Sequence, residues 1–281
     1  MSERRTTVPA IRAAKRRNGA APLVMVTAYD EPSARLVDAG GVDMILVGDS
    51  VGNAVLGYAD TLHVTVPMMV HHIKAVRRAN PEAMIVGDLP WMSYHVSAED
   101  AVQNAAELIR AGATSVKLEG GALRVEAVQA IVRAEIPVMA HVGLTPQSVH
   151  AMGGYRVQGR SLDAADALIR DVHALEEAGC FAVVLEGVPD ALGSKITQES
   201  PLPTIGIGAG PDTDGQVLVF HDLLGLGKGI PPKFVRKYAD LGTVITQAIS
   251  EFSKDVREAS FPGPDESYVA SEELRDHLGK S

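Results

Sequence analysis

Acidic residues recur where short apolar runs end. Asp49 follows MILVG, Asp88 follows MIVG, Glu119 closes SVKLE and Glu186 closes AVVLE. Lys117 lies two residues before Glu119, and His141 sits inside the run PVMAHVG. Successive residues of a β-strand point to opposite faces, so Lys117 and Glu119 share a face if their run is a strand. Carboxylates confined together repel one another unless a proton or a cation intervenes. The donors are oxygens with no histidine pair or thiolates beside them, which favours a hard divalent cation. Mg2+ typically keeps several waters and takes one or two protein carboxylates directly. On that reading Asp49 and Asp88 are direct ligands and Glu119 acts through water or from further out. Each aspartate alone has a plainer explanation as the N-cap of a following helix. Four acidic strand ends in one chain favour a shared site instead.

The elements that must position these residues alternate. Eight β-rich apolar runs (23–29, 42–48, 84–89, 115–120, 137–143, 181–187, 203–208 and 216–222) are separated by helix-like stretches such as 66–79, 97–111, 121–134 and 161–178. Ser97 and Ser161 stand where N-caps belong. Alternation of this kind signals βαβ units and a parallel sheet. Ala39-Gly40, Ala111-Gly112 and Ala178-Gly179 each stand between a helix and a strand, where a left-handed glycine stops the helix. No linker interrupts the pattern, so one (β/α)8-barrel domain over residues 1–281 is expected. The competing open doubly wound sheet would want a GxGxxG after the first strand, and no clear one is present. In a (β/α)8 barrel the site lies at the carboxyl ends of several strands at once, which is where Asp49, Asp88, Glu119 and Glu186 fall.

Composition narrows the function. A hydrophobic content of 46% over 281 residues permits a large core. A net charge of −9 and a pI near 5.5 argue against nucleic-acid binding, which needs clustered cations. Cys180 is the only cysteine, so no internal disulfide and no multi-thiolate zinc site can form; at the start of a buried strand it reads as a small hydrophobe. The basic start, with Arg4, Arg5, Arg12, Lys15, Arg16 and Arg17, has no apolar segment after it as a secretory signal would. It reads instead as a short helix, about 8–18, covering the barrel floor. No apolar run approaches the ~18 residues of a membrane span. A soluble, cytoplasmic protein is expected. From about 233 a long helix is expected through Phe252, then a peripheral tail over about 257–281 that could dock on a neighbouring subunit. His71 and His72 are adjacent, not four apart, and receive no ligand role. The role of His141 stays open between catalysis and support. Gly206-Ile207-Gly208-Ala209-Gly210 fits either a phosphate cradle or a tight loop.

Ordered segments from about 20 to 225 resemble the ketopantoate hydroxymethyltransferase family. They are VTAYD (26–30), GDSVGNAVLGYADTLHVTVPMMVHHIKAVRR (48–78), GDLPWMSY (87–94), VKLEGG (116–121), PVMAHVGLTPQSVHAMGGYRVQGR (137–160), VVLEGVP (183–189), IGIGAG (205–210) and QVLVFHDLLG (216–225). The resemblance implies a TIM barrel of the phosphoenolpyruvate/pyruvate type, Mg2+, and 5,10-methylenetetrahydrofolate as co-substrate with 3-methyl-2-oxobutanoate. It implies that Asp49 and Asp88 bind metal and oxo acid, Glu119 is an outer metal ligand, Ser50 and Lys117 meet the substrate, and Glu186 is the base. It also implies a homodecamer. Two alternatives remain: a 2-oxo-acid lyase or mutase of the same superfamily, and a non-catalytic barrel binding a phosphate ligand.

Overall fold

The computed structural model of the chain describes residues 5–227 and 229–279. Among these, eight strands pair in parallel and in sequence order: β1 (Leu23–Thr27), β2 (Met44–Val47), β3 (Met84–Asp88), β4 (Ser115–Glu119), β5 (Val138–Gly143), β6 (Ala182–Glu186), β7 (Thr204–Ile207) and β8 (Gly215–Leu218). β8 returns to β1 and closes the barrel.

The period of two along each strand divides the core. Met25, Met44, Leu46, Met84, Val86, Met139, Val184, Ile205 and Val217 form the interior cluster. Ile45, Val47, Ile85, Val116, Leu118, Ala140, Val183 and Leu185 face outward and pack against helix residues such as Ile73, Leu108, Ile131 and Leu175. Continuing the inward series toward the carboxyl ends gives Asp88 on β3, Lys117 and Glu119 on β4, His141 on β5 and Glu186 on β6. Register then sets neighbours: Asp88 pairs with Lys117, Glu119 with His141, and Gly143 with Glu186.

Helices 66–79, 97–111 and 161–178 of the sequence reading are observed as Val66–Arg78, Ala98–Ala111 and Leu162–Glu177. Ser97 and Ser161 cap as expected, accepting from the Asp100 and Ala164 N–H groups. Stretch 121–134 divides into a single 3-10 turn, Ala122–Arg124, and the helix Val125–Arg133. The Ala122 N–H is drawn off to Asp171 Oδ1. At the first joint the left-handed residue is Gly41 rather than Gly40, whereas Gly112 and Gly179 behave as expected. The eighth strand is shorter than its apolar run: it ends at Leu218, and Phe220–Leu223 turns helical with the Phe220 N–H on Thr27 Oγ1.

The floor helix forms over Val8–Ala13 and inserts Ile11 among the interior residues. Lys15 is buried beneath the barrel with Nζ 2.7 Å from Asp214 Oδ2, and it also donates to the Thr197 and Leu202 carbonyls. The long C-terminal helix begins at Leu241, not near 233. Pro231 and Pro232 precede it, and N–H groups of Tyr238 and Leu241 are tied to Leu223 and Leu224 carbonyls, which holds 233–240 out of a helix. The helix runs to Arg257, and a short helix, Glu272–Leu278, follows within the tail. No helix among the described residues is long and apolar enough to cross a membrane.

Candidate active site

Six ionisable side chains meet inside the carboxyl end of the barrel. Lys117 Nζ lies 2.7 Å from Asp88 Oδ1 and 3.7 Å from Glu119 Oε1. His141 bridges two carboxylates, with Nδ1 3.3 Å from Glu119 Oε1 and Nε2 3.2 Å from Glu186 Oε2. Asp49, just beyond β2, joins through its backbone N–H, which donates to Asp88 Oδ2 (3.1 Å). Glu186 differs from the rest in access: its side chain is 16% exposed, against 2% for Asp88 and for Glu119.

Burial sets the electrostatics. Asp49 is pushed well above the usual carboxylate range by burial and then by the charges of Asp88 and Glu119, with Lys117 and the Gln147 amide opposing. Burial raises Asp88 as well, although Lys117 counters it. Glu119 is also penalised by burial but ends below its ordinary value, because His141 and Lys117 stand beside it. Burial and Lys117 depress His141, yet Glu119 and Glu186 outweigh them and hold it up to about 9. The Lys117 ammonium pays for its burial but stays charged among Asp88, Glu119 and Asp49.

Asp49, Asp88, Glu119 and Glu186 meet only Lys117 and His141, so acidic groups outnumber basic ones by two (four minus two), and Asp49 and Asp88 are the two that burial raises. An all-oxygen donor set with that excess fits a hard divalent cation. Such an ion would meet Asp49 and Asp88. No three or more His, Cys, Asp or Glu side chains among the described residues form a metal-holding group by themselves. Glu119 is engaged elsewhere, since its Oε2 accepts the Gln147 backbone N–H (3.0 Å) while Oε1 faces His141.

Neutral residues that the charge pattern did not single out complete the site. Tyr94 is buried, and its hydroxyl accepts from the Glu119 N–H (3.1 Å) and donates to Gln147 Oε1 (2.5 Å). Burial and the Glu119 charge push that phenol well up, so it keeps its proton. Tyr29 is buried too, its hydroxyl 2.8 Å from Ser50 Oγ. Uncharged side chains in loops carry no periodicity; the one available signal was polar residues following apolar runs at the barrel mouth. Gly143 has φ +95°, and a Cβ there would strike the Glu186 carbonyl. Its absence lets β5 and β6 close up so that His141 reaches Glu186.

Other sequence candidates fall outside this cluster. Cys180 precedes β6 at the amino end of the barrel, is buried, and has its thiol pushed up to about 12 by burial. The glycine loop after β7 is filled by protein: the space at Gly208 is closed by the Phe234 ring and that at Gly210 by Asp190. Close packing accounts for these glycines. His72 donates to or accepts from nothing in the cluster; its Nδ1 contacts the Tyr29 carbonyl, and His71 packs edge-on against it.

A family model described as ketopantoate hydroxymethyltransferase matches residues 5–264, a span that contains the whole cluster. The chain belongs to the ketopantoate hydroxymethyltransferase family. Relatives support the membership along most of their length. The chain is 52% identical over 271 residues to the 3-methyl-2-oxobutanoate hydroxymethyltransferase 2 of Bradyrhizobium diazoefficiens, covering 96% of this chain and 92% of that one. It is 58% identical over 241 residues to the 3-methyl-2-oxobutanoate hydroxymethyltransferase of Ignicoccus hospitalis, covering 86% and 91%. Among solved structures, phosphonopyruvate hydrolase superposes with a TM-score of 0.62 at 14% identity, covering 98% of this chain and 95% of that one. A 2,3-dimethylmalate lyase described as a PEP mutase/isocitrate lyase superfamily member gives 0.60 at 17%, covering 98% and 94%. At such identities these two likenesses speak for the fold alone. This ketopantoate hydroxymethyltransferase family member therefore has the closed eight-stranded parallel barrel expected from its sequence, a fold it shares with those two proteins.

Proposed function

We propose that this enzyme joins the one-carbon unit of 5,10-methylenetetrahydrofolate to C3 of 3-methyl-2-oxobutanoate, with Mg2+, giving 2-dehydropantoate for pantothenate synthesis in the cytoplasm. One water is consumed and supplies the new hydroxyl. The observation that carries the reading is the division within the cluster: a buried Asp49, Asp88 and Lys117 face beside a more open Glu186 held by His141.

Asp49 and Asp88 would hold the cation, with Glu119 outside the direct set. A bound Mg2+ supplies polarisation of the oxo group and compensates negative charge developing on its oxygen. Lys117 and Ser50 bind and orient the oxo acid, the ammonium through its charge and the hydroxyl through the direction imposed by Tyr29. Glu186 takes the C3 proton as general base and the enolate carbon bonds to the folate's methylene carbon; both carbon–nitrogen bonds of that methylene break, the oxygen of the consumed water ends on it as the hydroxyl, and tetrahydrofolate leaves with a proton on each freed nitrogen. His141, 3.2 Å from Glu186, fixes the carboxylate's approach. Alignment of base, C3 and one-carbon unit is then what the rigid strand ends contribute.

A homo-oligomer, a decamer on the family's pattern, is part of the proposal. Its support is the C-terminal helix Leu241–Arg257, which has no buried residue, and Val24 on the outer face of β1, left 46% exposed. Against the lyase or mutase alternative stands Cys180, buried at the wrong end for a catalytic loop. The testing experiment is incubation with the oxo acid, methylenetetrahydrofolate and Mg2+. Formation of 2-dehydropantoate that stops on chelation is the expected result; carbon–carbon cleavage without folate would favour the alternative.

A further inference from the structure

Gln147 connects three strand ends without being charged. It lies in the loop after β5 and is 5% exposed. Its Nε2 donates to Asp49 Oδ2 (2.9 Å) and to the Leu89 carbonyl (3.0 Å), its Oε1 accepts from Tyr94, and its backbone N–H donates to Glu119 Oε2 (3.0 Å). We infer that Gln147, oriented by Tyr94, is a positioning residue for Asp49: it ties down Oδ2 and leaves Oδ1 as the oxygen offered to the cation. The inference rests on the metal reading of the proposed function.

The direction of each hydrogen bond follows from the partners. The Glu119 backbone N–H can only donate, so Tyr94 Oη accepts there and has its single proton for Gln147 Oε1. That fixes the amide: oxygen toward Tyr94, nitrogen toward Asp49 Oδ2 and the Leu89 carbonyl, both acceptors. A flipped amide would set its oxygen against two acceptors and leave the Tyr94 proton facing N–H groups instead of an acceptor. The orientation is therefore decided by the network. The chain closes on itself, since Glu119 starts it with its backbone and ends it with its carboxylate. The same small ring thus holds Glu119 away from the direct ligand set and aims Asp49 into it. No described residue donates a hydrogen bond to Asp49 Oδ1.

The test uses the full-length chain, Mn2+ alone as probe, and electron paramagnetic resonance of the free ion. Tyr94→Phe keeps the ring and touches neither Asp49 nor the cation; Gln147→Met keeps length and removes the amide. Each should weaken Mn2+ affinity by about 10-fold or more, as loss of a group orienting a ligand does. The double variant should bind no more weakly than Gln147→Met alone, because Tyr94 acts through the amide. If Gln147→Met does not fold, Tyr94→Phe decides alone. Unchanged affinity in folded variants whose thermal midpoint has dropped makes the residues merely structural and overturns the inference, as do additive losses. Failure of the unmodified chain to bind Mn2+ overturns the metal reading itself, a result distinct from normal binding with indifferent variants.

Discussion

His141 sits between Glu119 and Glu186 at 3.3 and 3.2 Å, and its charged form is favoured in the folded state. Its folded value of about 9 lies above the ordinary 6.5, so its stabilisation is fully present below about pH 6.5 and is lost as pH rises through about 9. The whole effect is on the order of 3 kcal/mol. His141→Gln should therefore be less stable than the unmodified chain near pH 7, with the gap narrowing between pH 7 and 10 in urea unfolding. A gap independent of pH would contradict the assignment. At this scale the charged half of the site was legible: Asp49, Asp88, Lys117, Glu119 and Glu186 all stand where acidic and basic residues break apolar runs. Tyr94 and Gln147 were not, because a neutral hydroxyl or amide announces nothing until its partners are in view. His141 itself needed the register with Glu119 to acquire a role.

Strands β4, β5 and β6 act as a unit, and Gly143 is where their spacing is set. Replacing it by Ala combines a left-handed backbone with a collision at the Glu186 carbonyl. Backbone strain of that kind alone costs about 1–3 kcal/mol. Gly143→Ala should lower the unfolding midpoint and reduce turnover by moving Glu186, whereas Gly41→Ala, whose Cβ would meet nothing, should carry the strain without the loss of turnover. Equal activity in both variants would show that the β5–β6 approach does not matter. The strands and most helices were readable from periodicity, and their ends were not. Local hydrogen bonds made the difference: Phe220 to Thr27 ends β8 early, Ala122 to Asp171 detaches a turn from its helix, and ties to Leu223 and Leu224 delay the C-terminal helix.

Across the whole molecule the barrel is closed but not fully covered. Along Leu241–Arg257, Ile245, Ile249, Phe252 and Val256 follow a spacing of four, three and four, which makes one stripe, and all are between 45% and 60% exposed. An apolar stripe of that length on a surface helix calls for a partner. The paired change Ile249→Glu and Phe252→Glu should leave the circular dichroism of the barrel intact and reduce the particle size in sedimentation velocity. An unchanged size would remove this helix from the interface. Of the helix expected over about 8–18 the α-helix Val8–Ala13 and a separate turn, Arg16–Asn18, are found, and barrel closure was anticipated from alternation. Which surfaces lie bare was not, because exposure depends on where helices pack rather than on their own pattern.

Glu186 is proposed as the base that opens the reaction at C3. Incubated in D2O with Mg2+ and no folate, the protein should exchange the C3 proton of 3-methyl-2-oxobutanoate, observed by proton NMR. Chelation should stop the exchange, and Glu186→Gln should slow it by at least about 100-fold, the usual contribution of a general base. Exchange that continues in Glu186→Gln at the unmodified rate, or that proceeds with the metal removed, would contradict it.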